Sequence, residues 1–306
     1  MDLSLIPVFV LLPITMISSL TFGVSRNFYC KDFSVSNGGR FLFNSIISII
    51  CAIIIFAFSG FNLSASTFTI LTGIAFGVVT VFSTVLYLVA VSIGPWSYTS
   101  VLISSSTIIT AIAGTIIWQE SIDIFTIFGI LFMVVCILLS TKKKEGEKNS
   151  ASPKWLLFCV LAALASSGVG LLQKTHQTSS FKLELFPFLT IAFFVSAIVS
   201  FICFLIVKNK QPLFSTSERT ENLSRKKFIG FICLIFILAG ITFAFNNIIN
   251  LYLSGVMPSA VFFPIVNGGG LVLATITSIF LFKEKLSKLQ WIGISSGIIA
   301  ILFLCI

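Results

Sequence analysis

The sequence predicts an all-α polytopic membrane protein, with ten transmembrane helices arranged as two inverted five-helix repeats. Three observations lead there. The 306 residues have a mean hydropathy of +1.11 and 9% charged residues, whereas a soluble domain carries about 25%. The hydrophobic residues, 57% of the chain, come in blocks of about 20, each enough to cross roughly 30 Å of hydrocarbon as a helix. A β-barrel would show short alternating segments instead. Finally, residues 258–304 repeat the pattern of residues 94–140: a slide of 164 positions puts Glu120 on Glu284, Gly129 on Gly293 and Ile112 on Ile276. The same slide puts Ser104-Ser105-Ser106 on Gly268-Gly269-Gly270.

The spans fall at about 3–25, 38–59, 67–92, 94–118, 121–140, 154–173, 185–207, 228–254, 256–282 and 288–306. The first run, Leu3 to Phe22, lacks a basic leading segment and an A-x-A site, so it reads as a membrane helix and not a cleaved signal. The fifth span ends at TKKKEGEKNSASP, residues 141–153, a charged linker between a first repeat at 1–140 and a second at 154–306. Five spans per half is odd, so the second copy starts from the opposite face, which gives a pseudo-two-fold axis in the membrane plane. A second polar break covers 208–227. In the ninth span Pro264 removes a backbone bond and three consecutive glycines each weaken a helix by about 1 kcal/mol. A kinked or loosened helix is expected there.

Of the 19 Lys and Arg residues, 17 fall in the loops after spans 1, 3, 5, 7 and 9; only Lys174 and Lys182 lie on the other face. The positive-inside rule puts the odd loops in the cytoplasm and both termini outside. The net charge of +9 is thus topological, and no nucleic-acid partner is expected. Six of the seven cysteines sit in apolar stretches and no CxxC occurs, which speaks for small buried hydrophobes and not for metal or redox chemistry. No cofactor is expected. Neither a nucleophile–base pair nor a nucleotide-binding loop is present, which leaves out a membrane enzyme and an ATP-driven pump.

Mid-membrane polarity is costly unless it faces protein or water, so it marks candidate sites. Thr80, Ser83 and Tyr87 share one face of span 3. Ser104 and Ser105 lie near the centre of span 4, Asn246, Asn247 and Asn250 share an arc of span 8, and Asn267 precedes the glycines of span 9. Substrate contact and interhelical bonding both fit the asparagines; close helix packing fits the serines and glycines. None of the ten acidic residues lies mid-span, which disfavours proton exchange through an embedded Glu and a strongly cationic substrate. Arg26, Arg40, Lys174 and His176 sit near span ends as anchors, with His176 in a loop. Arg40, one turn before Asn44, is the basic residue best placed to neutralise an anionic substrate. Phe243, Phe245, Phe262 and Phe263 supply apolar walls. Glu120 and Glu284 stand where one helix ends and the next begins, and each is expected to cap the helix that follows.

A Glu closing the fourth span of each half, then x-[LI], then Gly nine residues after the Glu, reads Q-E-S-I-D-I-F-T-I-F-G at 119–129 and K-E-K-L-S-K-L-Q-W-I-G at 283–293. This resembles the EamA-like branch of the drug/metabolite transporter superfamily over nearly the whole chain. Relatives carry a proline where Thr107 and Leu271 stand, and a Trp-Gly pair where Phe22-Gly23 stands. Relatives of known topology keep their termini in the cytoplasm, against the charge count. The resemblance implies a multi-pass cell (plasma) membrane protein, monomeric or homodimeric. It implies secondary active transport, as an exporter, of a small organic metabolite or drug by alternating access. The alternative is a flippase or accessory protein for a lipid-linked sugar. The partners are a small-molecule substrate and the lipid bilayer.

Overall fold

The computed structural model describes residues 5–32, 36–94, 99, 102–104, 106–121, 123–140, 152–207, 225–282 and 287–304. Among them are ten α-helices, a short 3-10 turn at Lys182–Glu184, and no strand. The helices are α1 Val8–Asp32, α2 Asn37–Phe58, α3 Thr67–Ile93, α4 Ser106–Trp118 and α5 Ile124–Ser140, then α6 Pro153–Thr178, α7 Leu185–Val207, α8 Arg225–Val256, α9 Ser259–Phe282 and α10 Lys288–Leu304. The protein is an all-α polytopic membrane protein. Segments in α1, α2, α3, α6, α7 and α8 are long and apolar enough to cross a bilayer, and shorter apolar helices cover Leu102–Trp118, Ile124–Cys136 and Trp291–Ala300.

Two ends differ from the hydropathy reading in a way that matters below. α1 runs on to Asp32 and α6 to Thr178, so Arg26 and Lys174 sit inside helices and His176 in the last turn of α6. His176 is buried, not loop-exposed; it bonds Thr69 Oγ1 at 3.2 Å and its ring stacks on Phe188 at 4.2 Å. α9 is also unlike the expectation. It is α-helical without a break from Ser259 to Phe282 despite Pro264 and the glycines. Gly268 and Gly269 are buried, so packing holds that stretch helical where propensity alone would loosen it.

The helix starts have local causes. Ser36, Ser66 and Ser152 cap α2, α3 and α6, their hydroxyls accepting from the N–H groups of Gly39, Thr69 and Trp155. Pro153 follows Ser152 at the first position, where its missing N–H costs nothing. Asp123 Oδ1 accepts from Thr126 N–H at 2.7 Å and starts α5; bonding to Thr126 holds its carboxyl below the usual range. That contribution is present above the unfolded carboxylate pKa and fades as pH falls through the lowered value.

The main packing partners come from opposite halves. α2 packs on α7, α5 on α10 and α4 on α9; α3 packs on α6 and α7, α8 on α1 and α2, and α1–α9 contact is matched by α4–α6 contact. Exchanging each helix with the one five along turns this set into itself. Buried hydroxyls and one amide bind α2 to α7: Asn44 Nδ2 donates to Ser200 Oγ at 2.7 Å, and Ser48 meets Ser196 at 3.0 Å. In hydrocarbon such groups bond each other because no water competes. A buried aromatic series, Phe22–Phe243–Phe193–Phe76, fills the space among α1, α8, α7 and α3. The outward faces carry Ile53, Phe82, Ile116, Leu156 and Ile206, all exposed as lipid-facing residues are.

Candidate substrate cavity

One cavity of about 210 Å³ sits where α1, α3, α4, α6, α8 and α9 converge. Each of these six has its five-along counterpart in the set. Thr80 and Ser83 line it from α3, Asn246, Asn247 and Asn250 from α8, and Asn267 from α9. The structure thus brings together six of the ten residues singled out from the sequence. Tyr87 lies just behind the wall, its ring 3.7 Å from Arg26 Cζ. Ser104 lies outside the lining, in the turn before α4, and Ser105 and Glu284 are outside the described residues. Arg40 is not in the lining either: it bonds Asn37 and, at 2.7 Å, Ser92 Oγ, tying α2 to the end of α3.

Most of the polar lining is already engaged. Asn246 Nδ2 donates to Thr15 Oγ1 at 3.1 Å, Thr15 Oγ1 donates to Asn250 Oδ1 at 2.7 Å, and Asn250 Nδ2 donates to Asn246 Oδ1 at 3.1 Å. This closed ring ties α8 to α1, so the two asparagines bond helices as well as face the cavity. Asn267 Nδ2 donates to Thr107 Oγ1 at 2.9 Å, linking α9 to α4, and Ser83 meets Ser166 at 2.9 Å, linking α3 to α6. Thr15→Val removes the donor–acceptor at the hub of the ring. It is expected to cost about 1–2 kcal/mol in denaturant unfolding of the purified protein, because Asn250 Oδ1 loses its donor while Asn246 Nδ2 keeps only Thr15 O.

Four lining groups keep open capacity. Gln173 and Arg26 make no hydrogen bond among the described residues, Thr80 Oγ1 is buried without a partner, and Asn247 bonds only through Nδ2, to Phe243 O at 2.8 Å. Sequence reasoning missed α1 and α6 as wall elements. Ser19, Phe22 and Arg26 stand at i, i+3 and i+7, as do Ser166, Val169 and Gln173, a helical stripe hidden by taking the span ends from hydropathy. Opposite the polar groups stand Phe22, Phe243, Phe262 and Phe263, three of them expected to be walls or beside them.

An ion pair stands beside the cavity, at the residue after Gln173. Gln119 lies in the left-handed region at φ 54° and Glu120 N–H reaches back to Gly114 O at 3.4 Å, a left-handed turn that ends α4. That turn aims Glu120 at the other half. Its Oε1 pairs with Lys174 Nζ at 2.6 Å and its Oε2 accepts from Ser259 N–H at 2.7 Å. Lys174 also donates to Met257 O at 2.9 Å. Glu120 therefore caps α9 and not α5, which Asp123 serves. A carboxylate at this N-terminus also meets the favourable end of the helix dipole.

Residues 5–142 match the model of the EamA-like transporter family. Over that stretch, a little under half of the chain, the sequence is similar to this family, whose members are membrane transporters of small substrates. A solved crystal structure, described only as that of a protein, superposes with a TM-score of 0.68 at 12% identity, covering 94% of this chain and 95% of its own. At that identity the likeness is one of fold. No curated protein matches the sequence.

Proposed function

We propose that this chain, whose first half is similar to EamA-like transporters, is a secondary carrier that binds one small organic solute in the central cavity and moves it by alternating access. In this reading 1–140 and 154–306 are inverted halves that rock about the cavity, joined by the linker at 141–153. The observation that carries the proposal is an ion pair across the halves beside the cavity. The Glu120–Lys174 pair ties the α4–α5 corner to α6 and to the α8–α9 junction, next to a cavity lined by three helices of each half. A pair between the halves can open and close as they rock, and the bonds from Thr15 to α8 and from Ser83 to α6 cross the same boundary and exchange with it.

The test replaces the native cysteines by alanine and installs Ser83→Cys in the cavity wall. Alternating access expects reaction with a membrane-impermeant thiol reagent added from either face. A Glu120→Cys/Lys174→Cys disulfide should then abolish reaction from one face and retain it from the other. Reactivity from a single face, unaffected by the disulfide, would overturn the proposal.

A further inference from the structure

We propose that Arg26 is the charge-recognition group for a substrate bearing one carboxylate on a small apolar body; this rests on the cavity being the transport site. Arg26 is the one cation in the cavity lining among the described residues. Its Cζ lies 4.3 Å from the Phe22 ring centre and 3.7 Å from that of Tyr87. Ring faces attract a guanidinium but leave its in-plane N–H donors unused. Nε is buried without a hydrogen-bond partner, and among the described residues the one ion pair is Lys174–Glu120. A guanidinium does not lose its proton to escape burial, so an anion is what would complete this site.

The lining stripe Ser19, Phe22 and Arg26 of α1 has the spacing of Ser166, Val169 and Gln173 on α6, so the second half presents an amide where the first presents a cation.

The rest of the cavity sets the body of the ligand. Its apolar lining is four phenylalanines and two valines, and among the described residues no carboxylate lines it to receive an ammonium group. Gln173 and Thr80 offer further donors to a carboxylate. A planar guanidinium fork matches a carboxylate in two-bond geometry. One unpaired cation matches one negative charge.

The experiment uses three probes of the same carbon skeleton: phenylacetate, phenethyl alcohol and phenethylamine. Binding to the purified full-length protein is read as a rise in melting temperature with probe concentration. Phenylacetate should stabilise the wild type more than either other probe. In Arg26→Gln its apparent Kd should rise at least tenfold while the alcohol changes little, and Arg26→Lys should fall between. If Arg26→Gln does not fold, the probe order in wild type and in Arg26→Lys decides alone. Phenylacetate giving no shift, or a shift no larger than the alcohol or amine, overturns the inference. So does binding to Arg26→Gln within about twofold of wild type. Thiol accessibility from both faces together with indifference to phenylacetate would remove this inference and leave the carrier reading standing. One-sided accessibility with phenylacetate selectivity would do the reverse.

Discussion

Glu120→Ala is expected to lower the unfolding free energy by about 3–5 kcal/mol, the usual cost of leaving one member of a buried pair alone. The reason lies in Lys174, whose side chain is only 5% exposed against 13% for Glu120. Without the carboxylate, its ammonium keeps one backbone partner, Met257 O, and Ser259 N–H loses its acceptor. Lys174→Ala should cost less, because Glu120 retains the Ser259 bond and more access to water. The double variant Glu120→Gln/Lys174→Met removes both charges and should recover most of the loss. Denaturant unfolding of wild type, Glu120→Ala, Lys174→Ala and the double alanine variant gives the coupling, and a value of at least 1 kcal/mol is expected for partners in contact. Additive single effects would show that the pair does not bind the halves. Gly114→Ala approaches the same seat sterically: a Cβ there would stand 2.5 Å from Glu120 Oε2 and from Ser259 Cβ.

The helices were legible because length and apolarity are what a bilayer demands of a crossing segment. The cavity was half legible for a related reason. Polar residues in mid-span are conspicuous, and six of those singled out face one space. What hid the rest is that hydropathy measures transfer of side chains, while a helix continues as long as its backbone bonds do. Charge at Arg26 and Lys174 ended the predicted spans, yet α1 and α6 carry on past them, and those extra turns bring in the cation of the cavity and the cation of the ion pair beside it. Partner choice was hidden for another reason. Glu120 bonds Ser259, 139 positions away, and nothing near Glu120 in sequence distinguishes capping α9 from capping α5. Arg40 looked better than Arg26 because Asn44 lies one turn on, but Asn44 turns to Ser196 and Ser200 on α7.

Gly77→Val is expected to cost at least about 3 kcal/mol, the upper range for overpacking, and to abolish transport. A Cβ at Gly77 would overlap the carbonyl oxygen of Ala192 and come within 3.0 Å of Val195 Cβ. One turn earlier, a Cβ at Gly73 would stand 3.2 Å from Phe188 O. Two glycines four apart let the backbones of α3 and α7 touch, the close approach that small residues allow in membranes. The obstacle is backbone, which cannot swing aside as a side chain can, so α3 itself must shift. Thr80 follows within a turn and Ser83 after it, both in the cavity wall, and the Ser83–Ser166 bond at 2.9 Å fixes α3 against α6. The substitution therefore reaches the site through the helix that carries it. Gly230→Val is the control, since nothing lies within 4 Å of a Cβ there and α8 should accept it with little change. Melting temperatures of the two variants in detergent compare them directly, and equal values would show that the α3–α7 approach can relax without cost.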